Sequence, residues 1–426
     1  MLGSLQQAFK AGDLKNKVLF TLLMFFVFRL GVHIPVPGIN PGAMSELLTN
    51  QFLGFFDVIS GGAFKNFSIF AMSITPYINS SIIMQLLTVI VPKLEQLKKE
   101  GEEGRKKIAQ YTRYGTVVLG FVQAIGISIA LSRYSGAGSQ SVVENPGIMS
   151  FLFIAIILTA GTALLMWIGE LITERGIGNG ISLIIFAGIV ARIPSGVSGV
   201  FEYLRAGTAN YINVLLFIVI ALVMIAAVVA LNEGQRRLPV QYAKRVVGRK
   251  VYGGQSTFLP LKVNTAGVIP IIFAMSIMML PGTIGPWIQN AAVSNFLSTY
   301  FHFGSVLYNS MYVLLIVFFT YFYTAVVFNP VDVADNIKKY GGFVPGIRPG
   351  RPTAEYIDRV LSKLTLAGGV FYAFVAIMPN FVIALTGLTS IWFGGTALLI
   401  VVGVALDTMK QIEAHLLLRS YEGFVK

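Results

Sequence analysis

The chain has 426 residues, of which 55% are hydrophobic, yet its formal net charge at pH 7 is +13. It contains no cysteine, which excludes disulfides and thiolate metal sites. The lysines and arginines fall into alternate gaps between long apolar runs, a distribution typical of an integral membrane protein whose cytoplasmic loops are positively biased.

A helix that crosses about 30 Å of hydrocarbon needs about 20 apolar residues. Ten apolar runs are candidate spans, of which the fifth and the tenth are short. They lie near residues 18–36, 69–91, 114–132, 151–170, 179–194, 212–231, 265–284, 309–330, 364–385 and 391–407. Arg29 lies inside the first run. It is either a structural residue that reaches toward backbone or the interface, or a residue with a direct role.

Residues 52–65 precede the second run and are too short and too rich in glycine to span a membrane, but too apolar to float freely. The segment is either re-entrant or a helix that lies flat at the interface. A re-entrant segment implies a cavity, because non-helical backbone at membrane depth is tolerated only inside protein or beside water.

The second and seventh runs share a short pattern at residues 74–78 and 268–272, in which a proline is followed two residues later by isoleucine. Transporter-type folds often contain inverted halves with interrupted helices at matching positions, and each run is the second span of a five-span half. The pattern indicates either such a repeat or two ordinary proline kinks.

Three gaps are long and basic. Residues 92–113 and 232–263 each carry seven lysines and arginines, and residues 329–363 carry six. All three are predicted to be cytoplasmic. An even number of crossings must separate the first two gaps, so the short fifth run must count as a span. Both termini are then cytoplasmic.

Residues 176–180 superficially match a phosphate-binding loop, but no strand precedes them and no Lys-Ser/Thr pair ends them. A tight turn between two spans is the better explanation. The three histidines show no metal-ligand spacing, and acidic residues avoid the middle of nearly every span. The sequence therefore predicts no metal site, no cofactor and no catalytic residue, and the protein is not expected to be an enzyme.

Two of the basic gaps have features of ordered loops. In 232–263, two β-prone runs flank a glycine-led basic tip at 248–250, which predicts a protruding hairpin. In 329–363, prolines stiffen and glycines bend residues 341–350. These cations either orient the protein and touch anionic lipid, or they bind a large anionic or mixed-charge cytoplasmic partner. The aromatic and β-branched residues beside them indicate ordered loops and so favour the partner.

Seven stretches carry a resemblance to a known family. They are ITPYI at 74–78, QLLT at 85–88, GEEGRKK at 101–107, QYTRYG at 110–115, GELITERGIGNGIS at 169–182, QSTFLPLKVN at 255–264 and FVPGIRPG at 343–350. Essentially the whole chain resembles the SecY/Sec61-alpha family, whose bacterial members are the central subunit of the Sec protein-translocation channel.

The resemblance implies an all-α integral membrane protein with ten transmembrane helices in two inverted five-helix halves, residues 1–211 and 212–426, which form a clamshell around a central pore. It also implies a short re-entrant plug helix at about 55–67, which favours the re-entrant interpretation above. The basic gaps 232–263, with its β-hairpin-like loop, and 329–363 become cytoplasmic docking loops.

The resemblance also assigns roles to residues. An isoleucine ring at the waist of the pore comprises Ile74, Ile78, Ile181, Ile185, Ile272 and Ile400. The plug includes Phe55, Phe56, Asp57, Val58, Ile59, Ser60, Gly61, Gly62, Ala63 and Phe64. A lateral gate lies between the second and seventh spans, where Gln85 and Asn264 could hydrogen-bond across the seam. Cytoplasmic partners would bind Arg105, Arg249, Lys250 and Arg348.

The implied function is passage of unfolded polypeptides across the bacterial plasma (inner) membrane and lateral release of transmembrane segments into lipid. The implied partners are the small membrane subunits SecE and SecG, the motor ATPase SecA, the ribosome through its RNA phosphates, signal sequences, nascent chains and membrane lipid. The alternative is a secondary transporter of a small solute. It would need a polar midplane site, and the spans offer little beyond Gln85 and Asn264.

Overall fold

The structure is a computed structural model that describes residues 12–40, 44, 57, 60–132, 142–207, 210–242, 245–247, 250–252, 256–284, 296–297, 299–301, 305–386 and 395–425. The first helices are α1 (Gly12–Gly31), α2 (Thr75–Ile90), α3 (Pro92–Lys99), α4 (Glu102–Ser132), α5 (Ile148–Arg175), α6 (Gly180–Val190) and α7 (Ile193–Arg205). The later helices are α8 (Tyr211–Glu233), α9 (Ile269–Ile284), α10 (Val306–Val327), α11 (Pro330–Lys339), α12 (Arg351–Thr386) and α13 (Gly395–Val425). The strands are β1 (Gln235–Tyr242), β2 (Arg245–Val247), β3 (Lys250–Tyr252), β4 (Ser256–Lys262) and β5 (Gly342–Phe343).

Most of the predicted spans are long apolar helices. Within the described residues, seven helical segments are long and apolar enough to cross a membrane, and α2 with α3 makes an eighth if this pair, bent by 98°, is one span. α1 carries four charged side chains within its 20 residues, and α9 contributes only the shorter apolar stretch Ile269–Met278. The chain is therefore a helical, multi-pass membrane protein, and ten spans remain the prediction.

The fifth and tenth spans are longer than predicted. α6 and α7 are separated only by Ala191 and Arg192, both in right-handed helical conformation, and together they form one candidate span of 26 residues. α13 has 31 residues and continues well beyond Asp407. The predicted ends at 194 and 407 were wrong because a polar or charged side chain ends an apolar run without ending a helix.

The prolines of the repeated pattern do not kink the interiors of helices. Pro76 lies in the first turn of α2 and Pro270 in the first turn of α9, where a missing backbone N–H leaves no hydrogen bond broken. Ile78 N–H donates to the carbonyl of Ile74, and Ile272 N–H donates to the carbonyl of Val268, so the two helix starts match. The kink interpretation was wrong, and the two runs are helices that begin at equivalent positions.

The helices pack into two groups. α1, α2, α4, α5 and α6 contact one another, and α8, α9, α10, α12 and α13 do likewise. The groups meet along α2 and α9, with α4 also touching α9, and again along α6 and α13. The second helix of one group therefore faces the second of the other, and the fifth faces the fifth, as expected when a pseudo-two-fold axis relates two repeats.

A small sheet joins the basic loops 232–263 and 329–363. β1 pairs with β4 antiparallel over seven residue pairs, and β2 pairs with β3 beyond them, which confirms the predicted hairpin. β1 also pairs with β5, which belongs to the other basic loop. A hydrophobic cluster that includes Leu238, Leu261, Val344 and Ile357 lies beneath this sheet. The two loops therefore form one folded unit.

Residues 176–179 form the tight turn between α5 and α6 that the sequence predicted. Asn179 caps α6 by accepting a hydrogen bond from Ser182 N–H, and Gly180 N–H donates to Thr173 Oγ1 at 2.9 Å. A Cβ on Gly180 would lie 1.9 Å from the carbonyl oxygen of Gly169, so only glycine allows the two helices to approach this closely.

Gly180→Ala should therefore destabilise the protein by about 1–3 kcal/mol, the usual cost of overpacking against atoms that cannot move aside. The matched control is Gly196→Ala, because a Cβ there would meet nothing within 4 Å. Thermal unfolding of detergent-solubilised protein measures both changes. Equal midpoints for the two variants would contradict the close approach.

Candidate functional site

Six isoleucines singled out in the sequence come together. Five of them, Ile74, Ile78, Ile185, Ile272 and Ile400, are buried members of one hydrophobic cluster, and the sixth, Ile181, is partly buried against it. They come from the beginnings of four helices: α2, α6, α9 and α13. These are the four helices along which the two groups meet.

Most of the isoleucines in this cluster are shielded from water. Ile74 and Ile400 are each only 1% exposed, so water does not reach these side chains from either group of helices. Val268, which the sequence analysis did not single out, lies just before α9 at the position that matches Ile74 just before α2, and it is buried in the same cluster. The matching proline pattern could have identified it.

The described part of the predicted plug segment is mostly turns. Asp57 is helical and residues 60–67 form turns, whereas Phe55, Phe56, Val58 and Ile59 lie outside the described residues, so the predicted plug helix stays a prediction. Ala63 is fully buried and belongs to the same cluster as the six isoleucines. Phe64 packs in a neighbouring cluster. Most of the described residues of the segment are thus buried inside the protein, as the re-entrant interpretation requires, whereas Lys65 and Asn66 are exposed.

Arg29 reaches this segment. Its Nη1 donates to the carbonyl oxygen of Gly61 at 2.6 Å, so it contacts backbone, the first of the two roles considered for it. Asp57 is buried and forms an ion pair with Arg192, which follows α6. The sequence analysis missed Arg192, because nothing local relates a cation at residue 192 to an acid 135 positions earlier.

The predicted hydrogen bond between Gln85 and Asn264 is not formed. Gln85 Nε2 lies 3.5 Å from Ser81 Oγ on its own helix. Asn264 instead donates to Asn232 Oδ1 at the end of α8, and Tyr372 Oη of α12 donates to the same oxygen at 3.2 Å. The two helices do contact each other, but the polar side chains that were expected to join them bond within their own groups.

The predicted docking residues are only partly described. Arg105 near the start of α4 and Arg348 before α12 are exposed. Lys250 begins β3, although its side chain is not described, and Arg249 lies outside the described residues. Arg113 of α4 forms a 2.7 Å ion pair with Glu170 of α5, so this acid at the end of a span has a cationic partner.

Comparison with known proteins identifies the family. The SecY family profile matches residues 68–409. A protein translocase subunit SecY from Halalkalibacterium halodurans is 50% identical over 434 aligned residues, which cover 100% of each chain. The chain belongs to the SecY family.

Solved SecY and Sec61 channels share the fold. One is a SecY protein whose plug domain stabilises the closed state of the translocation channel and maintains a membrane seal; it has a TM-score of 0.66 and 21% identity, over 94% of this chain and 92% of that one. Another is Sec61 in the canine ribosome–channel complex from the endoplasmic reticulum, with a TM-score of 0.64 and 19% identity over the same shares. These matches show that the SecY fold extends over nearly the whole chain.

The Asn232 network generates a test of how the second group of helices is held together. Asn232→Ala removes the acceptor shared by Asn264 and Tyr372, whereas Tyr372→Phe removes one bond. Interhelical hydrogen bonds in membranes average about 0.6 kcal/mol. We therefore expect the free energy of unfolding to fall by about 1–2 kcal/mol in Asn232→Ala and by about 0.6 kcal/mol in Tyr372→Phe.

Denaturant unfolding in detergent micelles measures these losses. Asn210→Ala is the control, because Asn210 precedes the same helix and its side chain makes no capping hydrogen bond. If Asn232→Ala were as stable as Asn210→Ala, the network would contribute nothing.

Proposed function

We propose that this chain is the pore-forming subunit of a protein-conducting channel, through which unfolded polypeptides cross the membrane and from which transmembrane segments pass sideways into lipid. One observation carries the proposal. Isoleucines from α2, α6, α9 and α13 belong to one hydrophobic cluster, and these are the helices along which the two groups of helices meet. Membership of the SecY family supports the same conclusion.

An aliphatic ring suits a channel whose cargo varies in sequence. A narrow apolar constriction loses its water and so blocks ions while no polypeptide is present. Branched aliphatic side chains offer no hydrogen bond or charge to a passing chain, so they fit around many sequences and hold none of them strongly. The proposed ring comprises Ile74, Ile78, Ile181, Ile185, Ile272 and Ile400.

The proposed halves are residues 1–211 and 212–426, each with five spans, and both termini are on the cytoplasmic side of a bacterial plasma membrane. Three basic gaps on one side and the pairing of equivalent helices support this arrangement. The proposed lateral gate runs between α2 and α9. Gln85 and Asn264 then line its neighbourhood without bonding across it.

The channel assignment also accounts for what drives transport. Membership of the SecY family indicates a channel rather than an enzyme, so the work comes from partners. The proposed partners are SecA and the ribosome at the joined docking loops, SecE and SecG in the membrane, and signal sequences and nascent chains in the pore. Exposed Arg105 and Arg348, together with Arg249 and Lys250, would bind the anionic groups of the cytoplasmic partners.

A small-solute transporter, the alternative from the sequence, has less support. It would need polar groups that converge on one midplane site. Gln85 bonds within α2, and Asn264 bonds to Asn232 and so ties α8 to the start of α9. These two polar side chains therefore bond within their own groups of helices and do not converge on one site.

The ring predicts a specific leak. Ile78→Ser and Ile272→Ser should each raise the ion conductance of resting bilayers above that of the wild-type protein, because a hydroxyl holds water in the constriction. Planar-bilayer recording without a translocating substrate measures this. The matched control is Ile83→Ser on the same helix, since Ile83 is 44% exposed and faces away from the cluster. Wild-type conductance in both ring variants would refute the ring.

The docking surface predicts charge-dependent binding. Arg348→Glu, and Arg249→Glu with Lys250→Glu, should weaken binding of ribosomes and of the motor ATPase to reconstituted protein. If ribosomal RNA phosphates are contacted, affinity should fall steeply with salt, and each lost contact should lower the logarithmic slope by about one unit.

Arg205→Glu is the control for net charge, because exposed Arg205 ends α7 on the opposite side of the proposed topology. Sedimentation of ribosomes with proteoliposomes over a salt series measures the effect. Unchanged binding by all the Arg348, Arg249 and Lys250 variants would remove the docking surface. Co-purification of small membrane subunits from mild detergent tests the remaining partners.

A further inference from the structure

Asp57 is the one acid of the proposed plug segment and is 2% exposed. Its Oδ2 forms an ion pair with Arg192, and its Oδ1 accepts the backbone N–H of Lys65 at 2.6 Å. Its own carbonyl accepts hydrogen bonds from Gly62 N–H at 2.9 Å and Ser60 Oγ at 3.2 Å. The carboxylate thus shapes the turn and also ties it to the end of α6.

Two further contacts hold the same turn. Arg29, in the last turn of α1, donates to the carbonyl of Gly61 at 2.6 Å. Gly61 has a positive φ of 67°, and a Cβ built on it would lie 2.8 Å from the Cα of Gly188 in α6. The turn therefore lies against backbone of α6, with Arg29 bound to its backbone and Arg192 bound to the Asp57 carboxylate.

These contacts have a particular placement. The partners are Arg29 of α1, Gly188 of α6 and Arg192, which follows α6. All three partners belong to the first group of helices. On the other side of the turn, Ala63 is fully buried in the cluster that contains the isoleucines. The described contacts thus attach the segment to the first group of helices by charges and hydrogen bonds, and its Ala63 packs in the hydrophobic cluster that contains the isoleucines.

Charge makes this attachment reversible. A buried carboxylate is strongly unfavourable without its cation. A small displacement of the turn that only partly breaks the ion pair between Asp57 and Arg192 is therefore disfavoured. A full displacement into water hydrates both charges and removes that penalty. An ion pair at this position therefore favours two discrete states, seated and released.

We propose that the Asp57–Arg192 ion pair, assisted by the Arg29 hydrogen bond to Gly61, is a polar latch that keeps the plug segment seated on the first half and sets how readily it leaves the pore. This inference rests on the proposed channel function. It makes Asp57, Arg192 and Arg29 positioning residues.

The absence of native cysteine allows a direct measurement. Ala63→Cys places a thiol where the seated segment excludes water, so its reaction with a membrane-impermeant maleimide reports release. In resting proteoliposomes without substrate, Asp57→Asn and Arg192→Gln should each raise the labelling rate at least about tenfold, because each breaks the ion pair and leaves the partner's charge uncompensated. Asp57→Asn keeps an oxygen for Lys65 N–H, so it isolates the charge. Asp57→Glu should restore slow labelling.

Glu202→Gln is the matched control, because this exposed acid of α7 lies ten residues beyond Arg192. It should label like the parent. The double variant Asp57→Asn with Arg192→Gln leaves neither charge unpaired, so it should fold even if a single variant does not, and it should label as fast as the singles.

An unchanged rate in either single variant, or a double variant whose effect is the product of the singles, would overturn the latch. The measurement uses no translocating substrate, so its failure is separable from failure of the channel assignment. Parent-like labelling together with a leak in the ring variants would remove the latch and leave the channel. Fast labelling without a leak in the ring variants would show that the ion pair holds the segment, but it would remove the ring and, with it, the part of the inference that concerns leaving a pore.

Discussion

Aliphatic packing between two groups of helices is the interaction on which the rest of this structure depends. Lipid tails are as apolar as the side chains, so helices in a membrane gain little from simply burying leucine or isoleucine. At the centre of this protein the side chains would otherwise face water instead of lipid, so burying them there stabilises the closed arrangement. Ile74, Ile272 and Ile400 come from different helices and are buried in the same hydrophobic cluster. Closure of the two halves therefore removes a water-filled passage.

That seal requires irregular backbone at membrane depth, which is tolerated only when its polar groups are satisfied inside protein. The segment before α2 meets this condition. Val36 N–H donates to the carbonyl of Phe67 and Ile69 N–H to the carbonyl of Ile34, at 2.9 and 3.0 Å, and Ser68 N–H donates to the carbonyl of Ala63. The chain after α1 therefore supplies partners to the segment that enters the protein, which allows α2 to begin beside the constriction.

The sequence predicted features that depend on neighbouring residues. It did not predict features that depend on contacts between residues far apart in the chain. The hairpin of β2 and β3 follows from β-prone runs around a turn, but the pairing of β1 with β5 joins residues about a hundred positions apart and leaves no local signal. Proline patterns located Ile78 and Ile272, whereas nothing in the apolar run 397–404 marks Ile400, which came only from the family resemblance. Polar residues in spans were recognised as adhesive, but the partner of Asn264 was wrong because Asn232 lies nearer than Gln85.

The two seams between the halves differ, and this difference bears on how the protein opens. On the α6–α13 side, Gly178 N–H donates to Gln411 Oε1 at 2.9 Å, so a hydrogen bond links the turn before α6 to α13. Among the side chains described on both α2 and α9, no hydrogen bond crosses the other seam. Polar bonds instead tie each of these helices inward: Ser80 to the carbonyl of Thr112 in α4, and Asn264, just before α9, to Asn232.

A seam held only by apolar contacts, with lipid outside it, separates at little cost when an apolar segment enters and replaces those contacts. A seam with a hydrogen bond between the halves loses that bond without compensation. The halves should therefore part along α2 and α9 and pivot on the α6–α13 side, which is the arrangement that a laterally opening channel needs. Among the described residues, the lack of a hydrogen bond between α2 and α9 therefore matters for opening as much as the hydrogen bond between Gly178 and Gln411 matters for the pivot.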